Sequence, residues 1–355
     1  MKLAEHPLYR EDLERCAELA LPWEKLSGKT VVISGATGMI GSFLIDVLAF
    51  KNEHSGADIR IAALGRSAKK AEARFGDTFG KPYFAFYPCD INTGEGLYAV
   101  PEADFVIHLA SNTHPVAYAT DPIGTVTANV IGTSNLLAFA AEKGAERFAF
   151  ASSNEIYGEN RGDAEKFDES YCGYIDCNTL RAGYPESKRC GEALCQAYIR
   201  QKGLDVVIPR LTRSYGPTLL ASDTKAMTQF LHKGIAGEDI ILKSAGTQYY
   251  SYTYTPDAVG GLLTVLLLGQ TGEAYNIADD ASDIMLKDLA ALIAANAGTK
   301  VVFELPDAVE SAGFSKATKA RLESAKLRRL GWKAQYTIRE GIARTMTILK
   351  DLEKA

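Results

Sequence analysis

Short apolar runs alternate along this chain with longer stretches in which apolar residues recur every three or four positions. TVVISG (30–35), IRIAALG (59–65), YFAFYPCD (83–90), DFVIHLAS (104–111), RFAFASS (147–153) and LDVVIPRL (204–211) are apolar on both alternating faces and rich in β-branched or aromatic residues. Such runs predict strands buried on both sides, as in a parallel sheet. Between them, GMIGSFLIDVLAF (38–50), SAKKAEARF (67–75), IGTVTANVIGTSNLLAFAAEKG (123–144) and the stretch 184–202 carry helical periodicity. Strand–helix alternation predicts an α/β fold, a Rossmann-type doubly wound parallel sheet. The first ~28 residues form an amphipathic helix (Leu8, Leu13, Cys16, Leu19) that ends at the turn LSGK. Beyond residue 216 the alternation gives way to short mixed elements. The expected division is therefore a helical extension over 1–28, a dinucleotide-binding domain over 29–215, and a smaller mixed α/β substrate domain over 216–355, with strand exchange between the lobes.

Composition narrows the class. A chain of 355 residues with 46% apolar and 23% charged residues is of globular type. Its formal charge of −5 provides no general field for nucleic acid or acidic lipid, so no partner of either kind is expected, and an anionic substrate needs a local basic pocket. The N-terminal segment is interrupted by charges and does not read as a signal peptide, and the apolar run LLTVLLLG (262–269) is too short to span a bilayer. A cytoplasmic location is the expectation. The six cysteines form no C-x-x-C pair and the five histidines are scattered, so the expectation is free, buried or half-buried thiols and no metal site.

The chemistry begins at VVISGATGMIGS. Gly35, Gly38 and Gly41 fall between the first strand and the first helix, with Thr37, Met39 and Ile40 completing the loop. Glycine permits the tight turn and lets backbone N–H groups approach a pyrophosphate at a helix N-terminus. The second strand ends in Gly65 and Arg66, where an acidic residue would bind the ribose hydroxyls of NAD. Arg66 fits the 2′-phosphate of NADP equally well as a solvated helix start, which leaves NAD or NADP open. Further on, Tyr184 stands four places before Lys188. Pro185 confines the tyrosine to the first turn of its helix, and the spacing sets both side chains on one face.

The G-x-x-G-x-x-G loop followed by Tyr-x-x-x-Lys resembles the extended short-chain dehydrogenase/reductases, in the NAD-dependent epimerase/dehydratase branch that modifies nucleotide sugars. The resemblance implies catalytic roles for Tyr184, Lys188 and Ser153, with the ammonium of Lys188 lowering the tyrosine pKa. It implies dinucleotide contacts from Asp90 and Ile91 and from the turn Leu109, Ala110, Ser111. ASSNEIYG (151–158) resembles the branch's Thr/Ser-x-Glu triplet. In its sugar 4,6-dehydratases the middle residue is an acidic aspartate; here it is Asn154. Glu155 is either an acid/base group or a loop carboxylate.

In motifs the chain is most similar to UDP-glucuronate decarboxylases: LASNTHPVAYATDPIGTVTANVIGTSNLL (109–137), YCGYIDCNTLRAGYPESKRCGEAL (171–194, with Arg181) and AKLRRLGWKAQYTIREGIARTM (325–346) all follow their pattern. Two positions depart from it. Tyr250 stands where relatives keep an arginine after G-x-Q, and Arg213 stands where they keep an asparagine at the sugar–phosphate site. Alternation puts Tyr250, Tyr252 and Tyr254 on one strand face, for packing or for stacking on substrate. The expectation is transient oxidation of sugar C4 with a bound nicotinamide cofactor, by a decarboxylase, a 4-epimerase or a dehydratase. A non-catalytic NAD(P)-binding subunit and a net reductase are the alternatives from other classes. The resemblance also implies a homodimer through helices 121–143 and 184–202.

Overall fold

The computed structural model describes residues 1–113, 115–304 and 319–354. Among them, β1 (Thr30–Ser34), β2 (Arg60–Gly65), β3 (Phe84–Pro88), β4 (Phe105–His108), β5 (Arg147–Phe150), β6 (Ser152–Ser153), β7 (Val206–Leu211) and β11 (Ala274–Ile277) form one parallel sheet. Its order is β11-β7-β5-β4-β1-β2-β3, with β6 also on β7. Every residue of β1 and β4 is buried, because helices cover both faces. The connections reverse direction between β1 and β4, and at such a switch point the carboxyl ends of neighbouring strands leave a crevice. Gly35 and Leu109 stand there.

Helices α2 (Met39–Ser55), α3 (Ala68–Phe75), α5 (Pro122–Lys143) and α6 (Gly183–Lys202) supply the layers, and α4 (Pro115–Thr120) precedes α5. Sequence sets the ends of α5: Asp121 accepts from the Gly124 N–H, Pro122 occupies the first turn, and Gly144 takes a left-handed conformation at the C-cap. By length and hydropathy α5 could also cross a membrane. The run 262–269 is thus not the one stretch to weigh as a span, and Thr125, Asn129, Gly132 and Thr133 mark α5 as a layer helix. They are buried on its inner side, where Thr133 meets His108 of β4, Gly132 faces Ile91 and Asn129 meets Ser187 of α6.

The remainder builds a second lobe. β8 (Arg213–Tyr215) continues almost directly from β7 and pairs with β10 (Tyr249–Tyr254). β12 (Asp283–Met285) and β14 (Lys319–Ala320) flank β10, and β9 (Ile240–Leu242) pairs with β13 (Val301–Phe303). Helices α7 (Ala226–Ile235), α8 (Thr255–Leu268), α9 (Leu286–Ala297), α10 (Ala325–Arg329) and α11 (Ile338–Glu353) complete the described elements. The chain then crosses back: β11 joins the edge of the large sheet and α8 packs against β7.

The N-terminal helix α1 (Pro7–Ala17) lies against α2 and α8, burying Tyr9, Leu13, Cys16 and Ala17. Its Asp12, fully buried, accepts from Tyr254 Oη at 2.6 Å and Arg344 Nε at 2.9 Å, so α1 is held to β10 and α11. All six cysteines are free. Cys16, Cys89 and Cys195 are buried, whereas Cys172, Cys177 and Cys190 are exposed, which corrects the expectation of buried or half-buried thiols. The exposed three lie in the loop before α6 and on its outer face, where no core covers them.

Candidate active site

The glycine loop forms a cradle that no larger residue could line. Gly35 has φ +70°, and a Cβ there would sit 2.7 Å from the backbone nitrogen of Ala110. A Cβ on Gly41 would overlap the Gly35 carbonyl oxygen, so the helix start is pressed against the strand end. Gly38 caps α2, whose first residues Met39 and Ile40 are half-buried beside Thr37. A dinucleotide pyrophosphate fits this geometry: bare backbone, close approach and a helix N-terminus. Leu109, Ala110 and Ser111 form the opposite wall, and the Thr218 hydroxyl from the second lobe donates to Met39 O at 2.9 Å. Sequence reasoning did not single out Thr218, because its partner lies 179 residues away.

At the cradle's far side the predicted groups are more loosely placed. Asp90 Oδ1 accepts from the Asn92 N–H at 2.9 Å and so shapes its own turn, next to the buried Ile91. Arg66 is exposed at the end of β2.

Tyr184 and Lys188 lie in the first two turns of α6 and are both buried. The Ser153 hydroxyl at the end of β6 lies beside the Tyr184 phenol, where it favours the ionised form. Burial is nonetheless the dominant influence and raises the phenol pKa above its ordinary value, with the Glu155 charge second. Lys188 does not offset this. Its Nζ donates to Ala151 O at 2.8 Å and lies over the Phe150 ring at 4.8 Å. The expectation that its ammonium lowers the tyrosine pKa is therefore corrected: in the protein alone, burial lowers the Lys188 pKa to about 7, against smaller opposing effects of Cys195 and Glu192. A lysine so poorly solvated is a weak stabiliser of phenolate until a ligand supplies further polar partners.

Glu155 is held in an ion pair, its Oε1 2.8 Å from Arg181 Nη2, while Asn154 is buried beside it. Arg181 in turn lies over the Tyr118 ring at 4.8 Å, and Tyr118 stacks on Tyr184 at 5.0 Å and 29°. Tyr118 thus belongs to the site although sequence reasoning passed over it. It lies inside the quoted run 109–137, but nothing in its local spacing marks it.

Across the cleft, Arg213 from β8 lies with its guanidinium carbon 3.6 Å from the ring centre of Tyr250 on β10. Arg213 Nη1 is buried without a hydrogen-bond partner. The two sequence departures are brought together in one pair. Tyr252 is buried next to them, but Tyr254 belongs to the core, packed on Tyr215 and Tyr336 and bonded to Asp12. The tyrosine ribbon therefore divides between site and core.

A parallel sheet with a glycine cradle at its switch point, and a Ser–Tyr–Lys group at the next strand end, defines a short-chain dehydrogenase/reductase. Within that class the profile of the NAD dependent epimerase/dehydratase family matches residues 31–278, and the chain belongs to this family of NAD-dependent enzymes. UDP-glucuronic acid decarboxylase 6 of Arabidopsis thaliana is 31% identical over 89% of this chain and 87% of its own length. Among solved structures, an epimerase of Methanothermobacter thermautotrophicus superposes with a TM-score of 0.81 at 21% identity, covering 98% of both chains. The dTDP-glucose 4,6-dehydratase DesIV from Streptomyces venezuelae, with NAD and TYD bound, gives 0.78 at 25% identity over 92% of this chain and 98% of its own.

Proposed function

We propose that this protein decarboxylates a UDP-linked hexuronic acid by transient oxidation at C4. The observation that carries the reading is the arrangement around Tyr184: Ser153 beside its phenol, and the Glu155–Arg181 pair alongside. In this reading Ser153 and Tyr184 bind the sugar C4 hydroxyl, and the phenolic oxygen removes its proton. NAD, when bound, would supply both the hydride acceptor and the hydride donor, so that the reaction is redox-neutral. Lys188, released from Ala151 O or shared with it, would hold the cofactor ribose and keep positive charge near the phenolate. A ketone at C4 lies β to the carboxylate and accepts the electron pair as CO2 leaves. Glu155, paired with Arg181, orders the hydroxyl side of the sugar. Asn154 has no acidic proton to give, so elimination of water lacks its donor.

Arg213 is proposed to hold an anionic group of the substrate, supported by its buried, unpaired Nη1 and by its seat on Tyr250. The names of the similar decarboxylases support the choice of substrate. A homodimer through α5 and α6 is part of the same reading. Ile123, Val126 and Leu180 are apolar and exposed on that face, beside a cavity of about 600 Å³ lined from both helices.

The test is incubation with UDP-glucuronate and NAD, followed by mass spectrometry and NMR of the nucleotide sugar. Loss of CO2 with formation of a pentose nucleotide is the expected result. Unchanged mass with inverted C4 would make the protein an epimerase. Unchanged sugar would remove this substrate.

A further inference from the structure

Beneath the site runs a buried chain of polar groups centred on His108, the last residue of β4, which is fully buried. Its Nδ1 lies 2.8 Å from Ser34 Oγ at the end of β1, and its Nε2 lies 3.1 Å from Thr133 Oγ1 on α5. The direction of both bonds follows from their neighbours. Ser34 Oγ accepts from the backbone N–H groups of Leu109 (3.2 Å) and Ala110 (3.3 Å), which leaves its own proton for Nδ1. Thr133 Oγ1 spends its single proton on Asn129 O at 2.6 Å, so it accepts from Nε2–H. Both ends require the same neutral tautomer, protonated on Nε2 alone.

The chain continues to the catalytic helix. Asn129 Oδ1 accepts from Ser111 Oγ at 2.7 Å, and its Nδ2 donates to Ser187 Oγ at 2.9 Å, which donates to Tyr184 O at 2.8 Å. On the other side, His108 O accepts from the Ala151 N–H, and Ala151 O accepts from Lys188. The cradle strand and α5 therefore meet at this imidazole, and Asn129 on α5 carries the connection on to Ser111 of the turn and to the Tyr–Lys helix. Burial first, and the Lys188 charge second, hold the His108 pKa well below its ordinary value.

We propose that His108 is a positioning residue for the dinucleotide cradle. As the Nε2–H tautomer it fixes the Ser34 hydroxyl as the acceptor that shapes the turn Leu109–Ala110, and it ties that turn to the helix carrying Tyr184 and Lys188. The proposal rests on the cradle reading and is independent of which sugar the enzyme takes. A doubly protonated ring would put a third donor on Ser34 Oγ and leave the serine proton without an acceptor, so the arrangement excludes the charged form.

Two measurements test it. In wild-type protein, histidine 15N shifts should show His108 neutral and protonated on Nε2 throughout about pH 5.5–8.5. A titration inside that window, or a proton on Nδ1, would overturn the proposal. Direct NAD binding is then compared across variants. His108→Phe, which keeps bulk and removes both polar atoms, should weaken NAD about tenfold, the equivalent of one buried hydrogen bond. Ser34→Ala should do the same from the other end, and the double variant should lose no more than either single one, because the pair acts as a unit. His108→Gln, which offers one acceptor and one donor, should recover part of the affinity. NAD binding unchanged in Ser34→Ala, or strictly additive losses, would leave His108 a packing residue.

Discussion

Arg213 and Tyr250 form a face-on pair across the small sheet, the guanidinium carbon 3.6 Å from the ring centre. Their strands β8 and β10 are in parallel register with Arg213 opposite Tyr252, so the arginine leans one pleat along to reach Tyr250. A cation–π contact is worth about 0.5–2 kcal/mol. It leaves the buried Nη1 proton unbonded, which costs about 1–3 kcal/mol unless an acceptor arrives. In the proposed reading a substrate anion meets that need. Arg213→Asn should weaken UDP-glucuronate binding on the order of a hundredfold, the scale of a lost charged hydrogen bond, with NAD affinity unchanged. Arg213→Asn with Tyr250→Arg returns the cation from the other strand and should recover most of the loss. Calorimetric titration of both variants decides it; equal affinity in wild type and Arg213→Asn would remove the arginine from the site.

Tyr184→Phe removes the phenolic oxygen and keeps the ring that stacks on Tyr118 at 5.0 Å. Turnover should fall by at least about 10²–10⁴, the contribution of a positioned acid/base group. NAD affinity and melting temperature should change little, since the lost oxygen belongs to the reaction and the ring to the packing. Residual turnover within tenfold of wild type would mean that another group takes the proton.

Gly35 and Gly203 both adopt left-handed backbone, at φ +70° and +68°, but their surroundings differ. A Cβ on Gly35 would meet Ala110 N at 2.7 Å, whereas a Cβ on Gly203 meets nothing within 4 Å. Each alanine costs about 1–2 kcal/mol of backbone strain. Gly35→Ala should in addition abolish NAD binding, because the turn 109–111 must move away from the cradle. Gly203→Ala should lower stability alone. Thermal denaturation with and without NAD separates the two: ligand-induced stabilisation disappears only in the first.

The features that could be read from sequence are those whose cause is local. The strands of the large sheet announce themselves because both faces are buried, and the Tyr184–Lys188 spacing is a property of one helix. The glycine loop is legible because positive φ and close approach each demand glycine. What escaped depends on partners distant in the chain. The N-terminal helix could be drawn, but not its anchoring through Asp12 to Tyr254 and Arg344, 242 and 332 residues away. Tyr118 stacks on the Tyr184 ring only because α4 folds back toward the start of α6. The Lys188 environment escapes for the same reason: four residues of spacing place it near Tyr184, but depth in the fold, not spacing, governs its charge. Arg213 and Tyr250 were each noticed as departures, and only β8–β10 pairing makes them one feature.

Asp257, in the first turn of α8, sets two effects against each other. Its oxygens accept from the backbone N–H groups of Gln335 at 2.7 Å and Tyr336 at 3.2 Å, which favours carboxylate. Burial favours the neutral acid, outweighs those bonds, and raises its pKa to about 7. The folded protein then binds a proton that the unfolded chain has already lost between about pH 4 and 7. Stability from this group is fully present below the unfolded pKa and is lost as pH rises through the folded one, at most about 4 kcal/mol in all. Lys188, lowered to about 7, acts in the opposite sense and mainly above that pH, while Asp283, raised to about 6 mainly by burial, titrates inside the window in wild type and Asp257→Asn alike and cancels in their difference. Asp257→Asn removes the titration. The stability gap between wild type and Asp257→Asn, measured by urea unfolding at several pH values, should therefore narrow as pH rises from 4 to 7. A gap that widens instead would show that the two N–H donors win over burial and hold Asp257 as a carboxylate.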